Sequence, residues 1–531
     1  MARAPLTIRA MRHHALIPVT DASGASAADA AAIEAGIPSR ALMQRAGAAA
    51  AAELATRCAG RMADGVVIAT GQGNNGGDGW VIARALHAVG IRVRVVECVP
   101  SRAVDATFER ALAIDAGVPF TTDPESLLIG GEPLAVDALL GTGFRFDTPL
   151  SRAILRGVGA LHARAARGGA IVAIDVPTGL DASNGLHAGA PSCALTLTFG
   201  SMKRGHLVAR GVCGTIVVLD IGLGAHADRA SSAQLATSSW FRDTLPPIAA
   251  SAHKGTRKKI AIVGGAAGMA GAVILAARAA LHTGAGLVKC VVAPASLLAL
   301  PEAVPAALSS AWPTDDEQFV SQVATWADAI LIGPGLGSDG AREMVERVLR
   351  YFGGPVVLDA DALNAFAGDI DALLPRIGSR AALLTPHPAE FARLLDASVD
   401  EVLADRFEMP AVAALRSGAT VLLKGVPTVV SSPGGGTMVV AEGTPILATG
   451  GAGDVLAGIA ATLLAQTGNA DVAGALAAFA HGRAAARVSA RQVRGYTLDD
   501  VLSALPGVWG LDVEARRPPV LGELPAVGEE P

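Results

Sequence analysis

The sequence of 531 residues lacks an excess of charge of either sign. Its formal net charge is −5 with both signs scattered, so it has no electrostatic footprint of a nucleic-acid-binding protein. Cysteine is also scarce: the chain has five, an odd number without CxxC spacing, which argues for a reducing compartment and against a disulfide framework or a zinc site. Arg3, Arg9 and Arg12 are followed by no apolar run, so no signal peptide is expected. We therefore expect a cytoplasmic protein that does not bind nucleic acid.

Long uncharged runs are rare, and one of them imitates a membrane span. Residues 260–277 carry no charge and reach the length that a spanning helix needs. They also contain four glycines and much alanine, and they open with a strand-like Ile-Ala-Ile-Val pattern. The pattern predicts a strand, a turn and a buried helix, and no contact with a membrane is expected.

Lysine is the third scarcity, with six residues against thirty-seven arginines. Since arginine serves wherever charge alone suffices, a lysine in such a chain suggests a need for a compact ammonium group. Three of the six lysines lie in candidate motifs: Lys203, Lys254 and Lys424.

What the sequence does contain is two regions in which strand-like and helix-like segments alternate, one over about 65–220 and one from Lys259 to about Leu505. This alternation predicts two α/β domains, each with a mostly parallel sheet whose ligands bind at the carboxyl ends of the strands. We expect a first domain over residues 1–235, a linker over 236–250, a second domain over 251–510 and a disordered tail, rich in Pro and Glu, over 511–531.

The first domain contains the run Gly-Asn-Asn-Gly-Gly-Asp-Gly at 73–79, directly after a predicted strand and before a helix predicted over 80–89. Such glycine-rich turns usually hold a phosphate on backbone N–H groups. Asp78 would repel a pyrophosphate there, so the loop suits a sugar, a cation or a neutral ring beside the phosphates. The spacing also matches the dinucleotide fingerprint, with Glu97 where a ribose-binding acid belongs, so a Rossmann dehydrogenase is an alternative. The side chains of Asn74, Asn75 and Asp78 argue against it.

Two further strand ends in this domain carry an aspartate followed by a glycine turn, Asp137 and Asp175. Asn75, Asp137 and the Thr178 hydroxyl offer hard oxygen ligands that suit a weakly bound monovalent or divalent cation. Asp175 is the best-placed free acid or base. The alternative is that these aspartates only cap helices or brace turns. Their recurrence at successive strand ends favours a site.

These motifs resemble the NAD(P)H-hydrate epimerase (YjeF N-terminal) family over about 20–225. The resemblance implies a Rossmann-like α/β sandwich that interconverts the R and S forms of hydrated NADH and NADPH at C6 of the ring. It implies potassium bound by Asn75, Asp137 and Thr178, although the family usually has serine where Thr178 stands. It implies that the hydrate is contacted by Asn74, Asn75, Gly76, Gly77, Asp78, Gly141, Thr142, Gly143 and Asp175.

The second domain contains Thr-Gly-Gly-Ala-Gly-Asp at 449–454, directly before a helical run over 455–464. Backbone N–H groups at that helix start could bind a phosphoryl group during its transfer, while Asp454 takes a proton from an acceptor hydroxyl. The alternative is a tight loop with a capping aspartate. Further motifs occur at 253–256, 264–272, 333–337, 359–364, 384–390 and 424–428.

Together these motifs resemble the NAD(P)H-hydrate dehydratase (YjeF C-terminal) family, with a ribokinase-like α/β fold, over about 250–508. The resemblance implies phosphorylation of the C6 hydroxyl of the S hydrate by ADP or ATP with Mg²⁺, then loss of phosphate, with Asp454 as the base. It implies hydrate contacts at Ala272, Gly337, His387 and Asp454. It implies nucleotide binding by Lys424, Gly425, Val426, Pro427, Thr428 and Gly453. The family has glycine where Ala389 stands, which matters if that position needs a positive φ.

A fused repair enzyme accounts for both sets of motifs, since one domain feeds the other the epimer that it accepts. Two alternatives stay open: a small-molecule alcohol kinase with an N-terminal nucleotide-binding domain, and a first domain that binds partners without catalysis. The sequence leaves the choice between ADP and ATP open. A homo-oligomer is expected, without a size.

Overall fold

A computed structural model describes residues 16–489, 494–510 and 517–527. The chain divides into two compact units. Of the described residues, the N-terminal unit comprises Ile17–Gln234 together with the C-terminal segment 517–527. The C-terminal unit comprises residues 235–489 and 494–510 together with Leu16.

The N-terminal unit is built on a twisted sheet that, within the described residues, has eight strands. They are β2 (Val66–Thr70), β3 (Val93–Glu97), β4 (Phe120–Thr121), β5 (Leu134–Ala138), β6 (Ala170–Ile174), β7 (Leu195–Phe199), β9 (Thr215–Leu219) and β20 (Val520–Leu524). The spatial order is β20-β9-β7-β6-β5-β2-β3-β4, and only the β20–β9 pair is antiparallel. Two short strands that are not part of this eight-stranded sheet, β1 (Ile17–Thr20) and β8 (Met202–Lys203), pair with each other in parallel. The strand β10 (Ala233–Leu235) lies at the boundary of the units.

Helices cover this sheet because the crossovers between parallel strands must pass over its faces. They are α1 (Ala22–Glu34), α2 (Ser39–Arg57), α3 (Ala59–Met62), α4 (Asn74–Ala88), α5 (Val104–Asp115), α6 (Arg152–Ala166), α7 (Arg204–Val208), α8 (Arg210–Cys213) and α9 (Gly224–Ala230). The strands β2 and β5 are buried at every position, as expected for a sheet covered on both faces.

The C-terminal unit has a second, mostly parallel sheet. Its strands are β11 (Lys259–Val263), β12 (Leu287–Val292), β13 (Leu308–Ala311), β14 (Ala329–Ile332), β15 (Val356–Leu358), β16 (Ala382–Leu384), β17 (Thr420–Leu423), β18 (Thr428–Ser431) and β19 (Thr437–Val440). Their order is β13-β12-β11-β14-β15-β16-β17-β18-β19. The pairs from β13 to β17 are parallel, and β17, β18 and β19 form an antiparallel edge.

The helices of this unit include two that lie almost wholly in its core, α20 (Ala452–Thr467) and α21 (Ala470–Val488). The many alanines of these helices allow close packing, and Gly458 meets the backbone of Ala276. The others are α10 (Ser238–Thr244), α11 (Ala270–His282), α12 (Leu300–Ala303), α13 (Asp316–Phe319), α14 (Ala341–Tyr351), α15 (Asp361–Asn364), α16 (Leu374–Ile377), α17 (Pro388–Leu395), α18 (Val399–Ala404), α19 (Met409–Ser417) and α22 (Leu498–Ala504).

The predicted fold class, two α/β domains, is confirmed. The uncharged stretch at 260–277 forms β11, a turn and the first part of α11, as predicted. None of the helices in the part of the chain that the structure describes has the length and apolar character needed to cross a membrane.

Two segments that the sequence predicts to be irregular are structured instead. The linker expected over 236–250 contains α10, because Trp240 and Phe241 are buried in the core and Phe241 stacks on Phe479 at 4.6 Å. The tail expected to be disordered over 511–531 contains β20, which pairs with β9. The Pro and Glu content of this segment predicts disorder, but the segment contains a strand whose Leu524 is buried. Residues 511–516 and 528–531 lie outside the described residues.

Candidate functional site

The N-terminal unit contains a cavity of about 680 Å³ at the carboxyl ends of its parallel strands. Most of the predicted hydrate-contacting residues line it: Asn74, Asn75, Asp78, Gly141, Thr142, Gly143 and Asp175. The structure thus brings together residues from three separate strand ends, at the place where α/β sheets bind ligands. Gly76 and Gly77 are buried beneath the cavity and do not line it.

The glycine-rich run is the first turn of α4, which begins at Asn74 and not near Trp80 as the sequence suggests. Glycine disfavours a helix, but here close packing requires it. A Cβ on Gly76 would lie 2.0 Å from the Gly71 carbonyl oxygen, and one on Gly77 would lie 2.6 Å from the Met43 sulfur. The glycines therefore let α4 approach the sheet and α2, and this places Asn74 and Asn75 at the cavity.

Asp175 is held by a buried ammonium group. Lys203 Nζ lies 2.7 Å from Asp175 Oδ1, and the Thr198 hydroxyl donates to the same oxygen at 3.0 Å. Burial would raise the pKa of Asp175, but the charge and hydrogen bond of Lys203 outweigh it and lower that pKa below its usual value. Asp175 also has a φ of 63°, a conformation that non-glycine residues rarely adopt and that is over-represented at functional sites. It is therefore an ionised carboxylate that faces the cavity.

Two other aspartates line the cavity with the opposite tendency. Burial, with the charges of Asp175 and Asp29, raises the pKa of Asp78 well above its usual value. Desolvation by the surrounding protein, with the charge of Asp175, raises the pKa of Asp29 to about 6, although the Lys203 charge acts to lower it. The cavity therefore holds one aspartate whose pKa is lowered beside two whose pKa values are raised.

Two of the predicted potassium ligands, Asp137 and Thr178, are hydrogen-bonded to each other, and the third, Asn75, lies beside Gly141 in the loop after β5. The Thr178 hydroxyl and backbone N–H donate to the two carboxylate oxygens of Asp137, at 2.7 and 2.8 Å. The Thr178 hydroxyl also accepts from Leu140 N at 3.0 Å. Both polar atoms of the Asn75 amide are buried without a partner within the described residues, beside Gly141. An unsatisfied buried amide fits a cation ligand, although Asp137 and Thr178 already satisfy each other.

Glu97, the ribose-binding candidate of the dehydrogenase alternative, is already paired. Its carboxylate is buried and accepts from Arg110 at 2.7 and 3.0 Å. It does not line the cavity. Glu97 therefore forms an internal ion pair with Arg110 in this structure.

The C-terminal unit holds a second cluster of charged groups around the N-terminus of α20. Asp454 lies in the first turn of this helix, and the preceding Gly451 has a φ of 89°. Burial and the negative charge of Asp359 raise the pKa of Asp454 to about 7, although the Lys424 charge acts in the opposite direction. A carboxylate with such a pKa is well matched to proton transfer near neutral pH.

Lys424 and Asp359 form a buried ion pair beside that helix start. Lys424 Nζ lies 2.7 Å from Asp359 Oδ1, which also accepts from the Thr385 hydroxyl at 2.8 Å. A Cβ on Gly453 would lie 3.0 Å from Lys424 Nζ, so the ammonium group sits against the first turn of α20. The arrangement offers a cation and free backbone N–H groups to the same phosphoryl group.

The predicted hydrate contacts approach this cluster from neighbouring loops. The Gly337 N–H donates to Asp361 at 2.8 Å, and Asp361 adds to the negative charge felt by Asp454. The loop 333–337 meets α11 near Ala272, since a Cβ on Gly335 would lie 3.3 Å from the Ala272 side chain.

His387 is the N-cap of α17, where its Nδ1 accepts from Ala389 N at 3.1 Å and Glu390 caps in return. This structural role leaves Nε2, which lies 3.5 Å from Glu390, as the ring atom open to a ligand. Ala389 is not among the residues with positive φ, so its methyl group causes no backbone strain.

The predicted nucleotide-binding segment forms the turn between β17 and β18. The Thr428 hydroxyl donates to the Gly425 carbonyl oxygen at 2.8 Å, and the Val426–Pro427 bond is cis. Gly425 and Val426 are exposed and Pro427 is buried. The turn begins at Lys424 and so starts at the charged cluster.

The sequence singles out Lys203 and the motifs at 359–364 and 384–390, but it does not reveal which of these groups face the two central aspartates. The structure shows that Lys203 and Asp29 act on Asp175 and its cavity, and that Asp359, Asp361 and Glu390 act on Asp454. The scarcity of lysine was a usable signal, since two of the three singled-out lysines, Lys203 and Lys424, form buried ion pairs with aspartates at strand ends. The third, Lys254, is exposed.

Comparisons with known proteins match both halves of the chain. The family described as YjeF-related protein N-terminus matches residues 39–205, and the family described as NAD(P)H-hydrate dehydratase matches residues 260–507. The bifunctional NAD(P)H-hydrate repair enzyme Nnr of Salinibacter ruber is 37% identical over 78% of this chain and 82% of its own. The enzyme of the same name from Escherichia coli is 34% identical over 69% of each chain. Among solved structures, the ADP/ATP-dependent NAD(P)H-hydrate dehydratase from Bacillus subtilis, co-crystallised with ATP/Mg²⁺, is 28% identical over 51% of this chain and 96% of its own, with a TM-score of 0.46.

Proposed function

Since the chain belongs to the family of bifunctional NAD(P)H-hydrate repair enzymes, we propose that its N-terminal unit epimerises the R and S hydrates of NADH and NADPH. Its C-terminal unit then converts the S hydrate back to the reduced dinucleotide. The observation that carries the proposal is the convergence of Asp454, Lys424 and Asp359 at the N-terminus of α20. This cluster can transfer a phosphoryl group to a hydroxyl.

The dehydration proceeds through phosphorylation because hydroxide is a poor leaving group and phosphate is a good one. Asp454 takes the proton of the C6 hydroxyl, whose oxygen attacks the terminal phosphorus of ADP or ATP. The bond from that phosphorus to the bridging oxygen breaks, and the remaining nucleotide leaves. The ring nitrogen then expels phosphate from C6, and loss of a proton from C5 restores the double bond of NAD(P)H.

Groups at the start of α20 stabilise the charge that develops during transfer. The backbone of Gly451–Gly453 forms the start of α20, where N–H groups can bind the transferring phosphoryl group, and Lys424 lies against Gly453. Lys424–Thr428 and Gly453 bind the nucleotide, and Ala272, Gly337 and His387 contact the hydrate. The nearby carboxylates Asp359 and Asp361 are hard oxygen ligands that fit Mg²⁺, which proteins commonly bind by one or two carboxylates and substrate phosphates. When bound, this ion would neutralise charge on the phosphates.

Epimerisation takes place in the cavity of the N-terminal unit. Changing the face of C6 that carries oxygen requires one bond at C6 to break and to re-form on the other face, while a proton moves to and from that oxygen. Asp175 is the ionised carboxylate available for this proton transfer. Asn74–Asp78 and Gly141–Gly143 hold the hydrate around it. Potassium fits the unsatisfied Asn75 amide together with Asp137 and Thr178, where it would fix the loops that carry these residues. A cytoplasmic location and a homo-oligomeric state complete the proposal.

The test is recovery of the reduced nicotinamide absorbance from mixed R and S hydrate of NADH, with ADP or ATP, Mg²⁺ and K⁺. Complete recovery with one nucleotide supports both activities and identifies the donor. Recovery of the S fraction alone leaves a dehydratase beside a first unit without activity. If neither nucleotide gives recovery, the proposal is wrong, and phosphorylation of small alcohols becomes the activity to assay.

A further inference from the structure

The C-terminal segment 517–527 follows the dehydratase domain in sequence but forms part of the N-terminal unit. Its strand β20 pairs antiparallel with β9, in the register Val520 to Leu219, Gly522 to Val218, Glu523 to Val217 and Leu524 to Ile216. Without this segment β9 would be the edge of the sheet, with a row of unpaired backbone groups. Neither matched family region, 39–205 or 260–507, includes the segment.

Side chains fix β20 in this position. A Cβ on Gly522 would lie 2.1 Å from Ile17 Cδ1, so the strand packs closely on this buried side chain. Glu523 accepts from both terminal nitrogens of Arg57, at 3.1 and 2.8 Å. Arg517 donates at 2.7 Å to Glu53, a buried carboxylate of α2. The contacts reach the sheet and α2, the helix whose Leu42, Met43 and Ala46 line the cavity.

The same segment holds a wall of the cavity directly. The Pro519 carbonyl oxygen accepts from the backbone N–H of Asp220 at 2.7 Å. Asp220 in turn accepts from Gly222 N at 2.8 Å, which shapes the turn after β9. Ile221 and Leu223 of this turn line the cavity. The C-terminal segment therefore bonds the residue that directly precedes the cavity-lining Ile221.

We propose that segment 517–527 is a positioning element of the epimerase unit, which holds the 220–223 turn against the cavity. The sheet of the first domain has its full set of strands only when residues 517–527 are in place. A wall displaced by about 1 Å can cost about 10²-fold in rate, so loss of the segment is expected to impair epimerisation far from the chemistry. The expected loss of epimerisation rests on the proposed function, whereas the role of the segment in holding β9 and the 220–223 turn does not.

The first test is the full chain without residues 511–531. We expect epimerisation of the R hydrate to fall by about 10²-fold, while the dehydration rate of the S hydrate stays unchanged. A synthetic peptide of residues 514–527 should restore epimerisation saturably. Unchanged epimerisation in the shortened chain would overturn the inference.

The second test keeps the chain at full length and compares Gly522→Asp with Gly510→Asp. The first substitution places a carboxylate against Ile17, whereas a Cβ at Gly510 meets nothing within 4 Å. We expect hydrogen exchange of β9 amides to accelerate in Gly522→Asp only, whether or not hydrates are the substrate. Equal protection of β9 in both variants would overturn the inference even if epimerisation had changed. A wild-type chain without any epimerisation, but with protected β9, would instead count against the proposed function alone.

Discussion

The two central aspartates, Asp175 directly after β6 and Asp454 in the first turn of α20, lie in opposite electrostatic surroundings. Asp175 has a lysine in direct contact, which lowers its pKa despite burial. Asp454 has no lysine in direct contact among the described residues, since Lys424 is paired with Asp359, and its pKa rises to about 7. One group is therefore ionised across the physiological range and the other titrates within it.

Substitution of Asp454 by Asn should separate the two activities. The amide cannot accept the hydroxyl proton, so we expect dehydration of the S hydrate to fall by about 10²–10⁴-fold, with epimerisation unchanged. Rates are followed by recovery of the reduced nicotinamide absorbance, and epimerisation by chromatographic separation of the R and S hydrates. Asp339→Asn, at an exposed position of the same unit, is the control. Repair at a near wild-type rate in Asp454→Asn would remove Asp454 from the mechanism.

The pH dependence of dehydration should report the pKa of Asp454. A base with a pKa of about 7 is protonated below that value, so kcat/KM for the S hydrate should rise with pH through about 7. The Lys424 charge lowers this pKa, so Lys424→Met should move the rising limb to higher pH, whatever it does to nucleotide affinity. Lys289→Met, whose ammonium group bonds the Gln322 carbonyl oxygen, should leave the limb in place. A limb unmoved in Lys424→Met would show that another group titrates.

At the residue scale the sequence points to the acids and to the scarce lysines, but not to which of these groups pair. Asp175 and Asp454 stand in glycine-rich motifs at strand ends or helix starts, which local patterns reveal. Lys203 and Asp359 reach them only through the pairing of separate strands, which no local pattern encodes. The direction of each pKa shift depends on those partners, so the charge state of each acid becomes readable only from the structure.

At the scale of elements, the glycines of α4 show how packing overrides helix propensity. The sequence predicts the helix to begin near Trp80, because Gly76, Gly77 and Gly79 argue against an earlier start. The structure begins it at Asn74, since these glycines allow contact with the Gly71 carbonyl oxygen, Met43 and Ala138. Packing against residues that are distant in sequence also forms α10 and β20, and local composition does not reveal it.

This packing predicts that two neighbouring glycines tolerate alanine very differently. A Cβ on Gly76 would lie 2.0 Å from a backbone oxygen, whereas one on Gly73 meets nothing within 4 Å. Gly76→Ala should lower the free energy of unfolding of the N-terminal unit by about 1–3 kcal/mol, because the helix must move away from the sheet. Gly73→Ala should leave it within about 0.5 kcal/mol of wild type.

Chemical denaturation, followed by the fluorescence of the buried Trp80 in the N-terminal unit, measures the difference. A C-terminal unit that still dehydrates the S hydrate at the wild-type rate shows that the effect is local. Equal stability of the two variants would mean that α4 can shift without cost, and the close-packing account of the glycine-rich run would then be wrong.

At the scale of the whole molecule, the two units are expected to act in sequence on a released hydrate. Asp175→Asn protein should repair only the S hydrate, with R consumed at the uncatalysed rate of epimerisation. The substitution should preserve the fold, because asparagine tolerates the positive φ of this position better than most residues. Asp454→Asn protein should epimerise without repair.

If the hydrate is released between steps, mixing these two full-length variants, each of which lacks one activity, restores complete recovery of NADH from mixed hydrate. Wild-type protein at the same concentration of active units is the reference. Incomplete recovery from the mixture, with complete recovery by wild type, would instead show that the hydrate passes between units of one chain.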